Sequence, residues 1–183
     1  IALKTHVEIK KKVSNVLTII IPRHINRVSH IKKLTNKFNL KSQILDDKDE
    51  IEKGREILII NSFGVLSQYF NCSKNIFIGK SLIQKLKRVG GQNPIEAAKH
   101  GCKIYYGPYV YNFQEVYDFL KINNISEQIF NEKDLSQKII ENFNNPEKIS
   151  LKNFDLLNSY GERILKQTSA ELYKLTRTKN ENI

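Results

Sequence analysis

Several residue types that mark other classes of protein are rare in this sequence or missing from it. Its 183 residues include no Met, no Trp, four Pro, eight Gly and two Cys. So little Gly and Pro excludes a collagen-like or low-complexity chain, and no run approaches the roughly 18 consecutive apolar residues of a membrane-spanning helix. We therefore expect a soluble chain that forms one well-buried domain. The start at Ile1, without Met or a signal peptide, indicates a piece of a longer protein.

Motifs for thiol, metal and hydrolytic chemistry are also missing. Cys72 and Cys102 form no Cys-x-x-Cys pair, which argues against a disulfide framework or a zinc site and favours a reducing compartment. Each lies beside an apolar run, so we expect both thiols to be buried as small hydrophobic side chains. The four histidines show no metal-ligand spacing, and neither a Ser-His-Asp grouping nor a GxxxxGK[ST] motif occurs. A hydrolase or a P-loop enzyme is therefore not indicated.

Acidic residues are outnumbered and unevenly placed. The chain has 30 Lys and Arg against 19 Asp and Glu, a net charge of +11. Residues 1–45 contain ten Lys or Arg with Glu8 alone, and residues 80–103 contain six with Glu96 alone. Such clustering suggests an anionic partner, and three kinds fit: a nucleic acid, a membrane surface or a phosphorylated substrate. Because the whole chain is rich in Lys, Asn and Ile, a merely solvated basic surface is an equally good interpretation.

Short apolar runs alternate with helical segments as far as Pro108. Strands are predicted at Val16–Arg23, Lys41–Leu45, Ile57–Asn61, Asn75–Gly79 and Lys103–Pro108. Helices are predicted at Ile25–Lys37, Phe63–Phe70 and Pro94–His100. Runs that are apolar on both faces indicate buried parallel strands, and their alternation with helices indicates an α/β fold. After Pro108 only helices are predicted, at Phe113–Leu120, Leu135–Phe143 and, as a long amphipathic helix, Asn153–Thr176.

Polar or glycine-containing segments follow four of the predicted strands. They are Pro22-Arg23-His24, Ser62-Phe63-Gly64, Gly79-Lys80-Ser81 and Gly107-Pro108. Because ligands of an open parallel sheet bind beyond the carboxyl ends of its strands, we expect these segments at one edge of the sheet. Arg23 is suited there to bind a phosphate through two hydrogen bonds, although a plain surface arginine fits the sequence equally well.

The segment GGQNPIEA has the pattern of a capped helix start. Asn93 suits the N-cap, Pro94 suits the first helical position, and Glu96 completes the spacing of a capping box. Gly90 and Gly91 allow backbone amides to approach a ligand closely, and the free amides of a helix start favour a phosphate. An ordinary capped helix after a flexible loop is the alternative, with Glu96 either capping or accepting hydrogen bonds from ribose hydroxyls.

Four segments resemble, in order and spacing, the carboxyl-terminal half of the bacterial 3-deoxy-D-manno-octulosonic acid (Kdo) transferases that act on lipid A. They are IIIPRH, NSFGVLSQYFNCSKNIFIGKSLI, GGQNPIEAAKHG and YYGPYVYNFQEVY, and KTHVE and NSYGERILKQ extend the resemblance over nearly the whole chain. The resemblance implies one half of a GT-B glycosyltransferase: a Rossmann-like, three-layer α/β domain with a parallel sheet and a long C-terminal helix. This domain would comprise residues 1–178, and residues 179–183 would be a frayed tail.

The same resemblance implies a function. The domain would bind CMP-Kdo, from which the complete enzyme transfers Kdo with inversion to a lipid A precursor, and no cofactor or metal would be needed. The general base would be a glutamate of the absent amino-terminal acceptor domain, so no catalytic residue is expected here and this piece alone would be inactive. The full-length protein would work at the cytoplasmic face of the bacterial inner membrane, with no nucleic acid as partner.

Eleven residues would contact the donor by similarity to the family. They are Pro22, Arg23, Phe63, Gly64, Val65, Ser81, Gly91, Asn93, Pro94, Ile95 and Glu96. The chain departs from the usual pattern at Lys80, where a second Gly is common, at Gln92, where His is common, and at Ala97, where Pro is common. Val65 replaces an acidic residue, and the loop Gln84–Val89 is longer than in most members. Two other functions stay open: a GT-B donor domain for another nucleotide sugar, and a basic nucleic-acid-binding module.

Overall fold

Six short strands and six helices form the first of two compact units, Ile1–Glu147 and Lys148–Ile183. The computed structural model describes residues 1–146 and 151–180. The strands are β1 Thr18–Ile20, β2 Ser42–Leu45, β3 Ile57–Ile60, β4 Asn75–Phe77, β5 Lys103–Tyr106 and β6 Ser126–Gln128. The helices of this unit are α1 Ala2–Lys10, α2 Val28–Lys37, α3 Leu66–Cys72, α4 Ile95–Lys99, α5 Gln114–Ile122 and α6 Glu132–Asn144. Single 3-10 turns occupy Ile25–Arg27, Gln84–Leu86 and Tyr111–Phe113.

All described strand pairs are parallel. The strands form two three-stranded sheets with the orders β1-β3-β2 and β4-β5-β6. Thr18 and Ser42 both pair with Ile57 at the start of β3, and Asn75 pairs with Lys103 at the start of β5. The prediction of an α/β fold with parallel strands is therefore confirmed.

The central strand β3 is buried on both faces. Ile57 and Ile59 pack with Leu3 of α1 and Val28 of α2. On the opposite face, Leu58 and Ile60 pack with the half-buried side chains of Val65 and Tyr69, beside and within α3. Burying such a side chain stabilises a fold by about 1.5–3 kcal/mol. Helices therefore cover this sheet on both sides, as in the predicted three-layer arrangement.

The central strand of the second sheet is covered in the same way. Tyr105 of β5 packs with Ile9 of α1 and Leu135 of α6. Tyr106, on the other face, lies against Tyr117 of α5 with their ring centroids 4.3 Å apart. Because the start of α1 packs on the first sheet and its end on the second, this helix joins the cores of the two sheets.

Two elements of this unit were not predicted. No sequence pattern predicted α1, and the expectation that strands stop after Pro108 is wrong because β6 pairs with β5. The sequence Ser-Glu-Gln of β6 contains no apolar residue, since this strand lies at the edge of its sheet and pairs on one side. A short edge strand of this kind has no hydrophobic pattern by which to be found.

The two cysteines differ in their environment. Cys102 is fully buried, its Sγ donates hydrogen bonds to the carbonyls of Phe70 and Ser73, and burial raises the pKa of its thiol to about 11. Cys72 is exposed at the end of α3, so the prediction that it is buried is wrong. An apolar neighbouring sequence did not reveal which side of this short helix faces solvent.

The described residues of the second unit form one helix of 30 residues, α7 Leu151–Asn180. The predicted long C-terminal helix is therefore confirmed. It continues through Asn180, two residues into the segment expected to fray, and residues 181–183 of that segment lie outside the described residues. Among the described residues, no helix combines the length and the apolar character that crossing a membrane requires. The single domain over residues 1–178 stays a prediction.

Candidate functional site

The loops that follow the strands form the candidate site. We call the residues 21–24, 62–67, 79–83, 90–96 and 107–110 the strand-end rim. Within each of the two parallel sheets these loops lie at the carboxyl ends of the strands, where ligands of open α/β folds bind. The rim contains all eleven residues for which the sequence predicts contact with a donor.

Two contacts connect the loop after β1 with the start of α4. Ile21 and Val65 both pack against the cluster of Leu45, Leu58 and Ile60. Two residues after Val65, the Ser67 hydroxyl donates a hydrogen bond of 2.6 Å to Glu96 Oε1. Ile21, which precedes Pro22-Arg23, and Glu96 at the start of α4 are therefore both linked to the residues around the start of α3.

The double glycine is packed directly against the backbone after β5. A Cβ at Gly90 would lie 2.3 Å from the carbonyl oxygen of Tyr109, and one at Gly91 would lie 3.1 Å from Val110 Cα. Gly91 also has a φ of +80°, a conformation that residues with a side chain rarely adopt. The sequence predicted that a ligand needs these glycines, but in this structure the neighbouring loop already requires them.

A buried tyrosine holds the residue after the double glycine. The Tyr117 hydroxyl of α5 donates a 2.9 Å hydrogen bond to the carbonyl of Gln92. Tyr117 is fully buried, and this burial, with a smaller contribution from Tyr106, raises the pKa of its hydroxyl. The group therefore remains a protonated donor at neutral pH. Tyr109, Val110 and Tyr117 fix the path of the turn from Gly90 to Gln92.

Asn93 lies just before α4 and forms a hydrogen bond with its first residue. Its Oδ1 accepts a hydrogen bond of 3.0 Å from the amide of Ile95, the first residue of the helix. Pro94 is buried, whereas Asn93 and Glu96 are exposed. The helix thus begins one residue later than predicted, and the Glu96 carboxylate bonds to Ser67 of α3. The capping-box spacing predicted a local role for Glu96, but its described partner comes from another helix.

Ser81 joins the loops after β4 and β5. It is fully buried; its hydroxyl donates to the carbonyl of Ile78 at 2.7 Å and accepts from the amide of Gly107 at 2.8 Å. Its carbonyl accepts a hydrogen bond of 2.9 Å from the amide of Tyr109. These bonds indicate that Ser81, from its buried position, fixes the loops after β4 and β5. Its contact with a donor stays a prediction.

The remaining predicted residues offer charge and an apolar surface. Arg23 is exposed at the end of the loop after β1. Phe63 is 70% exposed, and the φ of +75° at Gly64 turns the chain before α3 begins. An exposed aromatic ring can stack on a nucleobase, and a guanidinium can bind a phosphate through two hydrogen bonds. The rim therefore has the chemistry to bind a nucleotide.

Three supporting residues were missed from the sequence. Ser67 orients Glu96, and Tyr109 and Tyr117 hold the glycine turn. No local signal could have identified them, because each acts on a residue at least 18 positions away in the chain. Within residues 1–146 and 151–180, no group of three His, Cys, Asp or Glu is placed to hold a metal ion. Independence of a metal stays a prediction.

This parallel α/β fold is of the Rossmann-like class, and a solved structure shares it. The similar structure is the C-terminal CMP-Kdo binding domain of WaaA from Acinetobacter baumannii. Its TM-score is 0.60 at 17% sequence identity, over 87% of this chain and 96% of that domain. The expected GT-B half with its long C-terminal helix is therefore confirmed at the level of the fold.

The sequence comparison gives relatives of one kind. The chain is 26% identical over 141 residues to the 3-deoxy-D-manno-octulosonic acid transferase of Aquifex aeolicus, and 30% identical over 143 residues to that of Rickettsia typhi. It is also 26% identical over 145 residues to a bifunctional glycosyltransferase/methyltransferase of Fusobacterium nucleatum. Each match covers 77% of this chain. No protein-family model matches.

These findings confirm the resemblance stated from the sequence: the chain is a relative of the Kdo transferases. It spans only part of them, covering 37% of the Aquifex aeolicus protein, 30% of the Rickettsia typhi protein and 22% of the Fusobacterium nucleatum protein. The activity of a complete enzyme is therefore a proposal for this chain.

Proposed function

We propose that this chain is the donor-binding domain of a glycosyltransferase that moves Kdo from CMP-Kdo to a lipid A precursor with inversion. The observation that carries the proposal is the relation to Kdo transferases over 77% of the chain, together with the fold of a CMP-Kdo binding domain. The packing of Ile21 and Val65 on one apolar cluster and the bond from Ser67 to Glu96 support a single donor site at the strand-end rim.

Different residues of the rim bind different parts of CMP-Kdo. Arg23 binds the phosphate, whose negative charge is also attracted by the backbone amides that follow Asn93. The exposed ring of Phe63 stacks on the cytosine. Glu96, held by Ser67, accepts hydrogen bonds from the ribose hydroxyls. The buried bonds of Ser81 and Tyr117 fix the loops before the donor arrives, so little ordering of the protein opposes binding.

The transfer of the sugar requires groups that lie outside this chain. The sugar transfer needs a general base that deprotonates the acceptor hydroxyl, and we assign it to a glutamate of an amino-terminal acceptor domain. The rim then stabilises the CMP phosphate as it leaves, without a cofactor or a metal. The complete protein would work at the cytoplasmic face of the bacterial inner membrane, and this domain alone would be inactive.

Titration of the purified chain with CMP tests the proposal. We expect amide chemical shifts to change at Arg23 and at Asn93–Glu96. Arg23→Gln should weaken CMP binding about tenfold or more, because it removes a charged hydrogen bond of about 1.5–3 kcal/mol. Arg27→Gln is the matched control, since Arg27 is also exposed but lies in the 3-10 turn beyond the rim. No shift change at millimolar CMP would contradict the proposal.

Competition experiments separate the two alternatives. A GT-B donor domain for another nucleotide sugar would bind UDP or GDP more tightly than CMP. A nucleic-acid-binding module, suggested by the net charge of +11, would bind single or double strands with an affinity that falls steeply with salt concentration. Preference for CMP at physiological salt would oppose both alternatives.

A further inference from the structure

Lys80 has an unusual backbone conformation. Four residues other than glycine have a positive φ in the described part of the chain: Asn15, Asn39, Asn124 and Lys80, whose φ is +66°. Asn adopts this left-handed conformation more readily than most residues, whereas an unbranched charged residue such as Lys does so rarely. Glycine would occupy this position with less strain. The presence of a lysine here therefore suggests that its side chain has a role.

The conformation of Lys80 is imposed by the loop around it. Ser81, the next residue, is fully buried and bonds to Ile78 and to Gly107. The amide of Ile83 also donates to the carbonyl of Lys80 at 3.5 Å. The backbone is thus held on both sides, and the side chain of Lys80 is placed at the carboxyl end of β4 within the strand-end rim.

The ammonium group of Lys80 forms no ion pair with any residue that the structure describes. Lys80 is half-buried, and none of the ion pairs among residues 1–146 and 151–180 involves it. The residues that follow are also basic, with Lys85, Lys87 and Arg88 before the first acid, Glu96. The charge of a partly buried lysine side chain is stabilised by an opposite charge more than that of an exposed one, because water screens it less.

We propose that Lys80 binds an anionic group of the donor, either the carboxylate of the transferred sugar acid or the phosphate of the nucleotide. This inference rests on the proposed function and adds a specificity residue to it. The strained backbone holds the side chain at the rim, and the missing counter-charge leaves the ammonium available to the ligand.

Binding of three small probes tests the inference: CMP has only the phosphate, free Kdo has only the carboxylate, and cytidine has neither. Lys80→Gln should weaken binding of the probe that contains the recognised anion about tenfold or more, as expected for a hydrogen bond to a charged group. Cytidine binding should not change. Lys80→Arg should retain most of the affinity, and Lys99→Gln, which removes an exposed charge from α4, should bind like the unmodified chain.

A loss limited to CMP assigns the phosphate to Lys80, and a loss limited to Kdo assigns the carboxylate. If Lys80→Gln binds both probes within twofold of the unmodified chain, the inference is overturned while the proposed function stands. If the unmodified chain binds neither CMP nor Kdo, the proposed function itself fails and the inference fails with it.

Lys80→Gly separates binding from folding. It removes the charge and relieves the left-handed strain, so its thermal midpoint should equal or exceed that of the unmodified chain. We expect this stable variant to lose the same affinity as Lys80→Gln. A stable Lys80→Gly variant with full affinity for both probes would show that the lysine is only tolerated, and would also overturn the inference.

Discussion

The carboxyl-terminal and amino-terminal edges of the parallel sheets are stabilised in different ways. At the strand-end rim, backbone groups and buried hydroxyls hold the loops, as at Ser81 and Tyr117. At the opposite edge, where β1 and β3 begin, an ion pair joins Lys10 to Glu56 and a buried histidine, His6, lies beside Thr18. The rim therefore leaves its exposed polar groups for a ligand, whereas the charges of the other edge are largely used in folding.

An open cleft at this opposite edge illustrates the difference. It has a volume of about 480 Å³ and is lined by charged residues that include Lys10, Glu52, Arg55 and Glu56. These four residues are paired with one another, Lys10 with Glu56 and Arg55 with Glu52. Four of the charges that line this cleft are therefore already used in ion pairs, so its volume alone does not identify it as a binding site.

The largest expected effect comes from the glycines of the rim. Gly107→Ala would place a Cβ 2.3 Å from the carbonyl oxygen of Ser81. The position of this Cβ is fixed by the backbone of residue 107, and the carbonyl oxygen is itself a backbone atom, so neither can move away easily. We therefore expect the free energy of unfolding to fall by about 3 kcal/mol or more. Gly79→Ala is the matched control in the same rim, since nothing lies within 4 Å of its Cβ position. Chemical denaturation of both variants measures the difference, and equal stabilities would refute the close packing.

The second prediction concerns pH and the opposite edge. His6 is fully buried, its Nδ1 lies 2.9 Å from Thr18 Oγ1, and its buried Nε2 has no hydrogen-bond partner. Burial is the main cause that lowers the pKa of His6, opposed by Glu56 and assisted by Lys10. A lowered pKa means that the unfolded state binds the proton more readily. Stability should therefore be complete above pH 6.5 and should fall as the pH drops below 6.5.

Denaturation between pH 7.5 and 5 checks this expectation. His6→Gln should remove most of this pH dependence, whereas His30→Gln, at an exposed position, should retain it. Glu56 does not interfere, because its bond to Lys10 lowers the pKa of its carboxyl from 4.5 and its contribution is lost at lower pH. An unchanged slope in His6→Gln would show that another group is responsible.

A smaller effect is expected at the support of the glycine turn. Tyr117→Phe removes the hydrogen bond to Gln92 and leaves a part-buried carbonyl without this donor. The unfolding free energy should fall by about 1–3 kcal/mol. Tyr111→Phe is a control, since Tyr111 is 73% exposed. If CMP binding also weakens in Tyr117→Phe, the turn is part of the donor site, while unchanged binding would assign Tyr117 to stability alone.

The smallest effect on stability is expected at the exposed bond between Ser67 and Glu96. Ser67→Ala should change the unfolding free energy by less than about 1 kcal/mol, because both groups are accessible to water. If Ser67 orients Glu96 toward a ribose, the variant should bind CMP more weakly and 2′-deoxy-CMP as before. Equal loss for the two nucleotides would contradict that role of Glu96.

The predicted elements show where sequence patterns are reliable. Ile57–Ile60 and Lys103–Tyr106 were found because central parallel strands are apolar on both faces. The edge strand Ser126–Gln128 and the first helix were missed, since neither has a clear hydrophobic period. Candidate residues such as Arg23 and Asn93 were found from their position after a strand or before a helix. Their supporting partners were not found, because Tyr117 and Ser67 act across distant parts of the chain.

The sequence by itself determined the parallel α/β architecture and the resemblance to one family, and it predicted the positions at which a ligand would meet the strand ends. These features depend on local patterns, which are the period of apolar residues and the residue types at turns. Only the tertiary structure decided that Gly90 and Gly107 are required by neighbouring backbone, that Ser81 is enclosed and that Cys72 is exposed. Such facts depend on contacts between distant residues, which no local pattern contains.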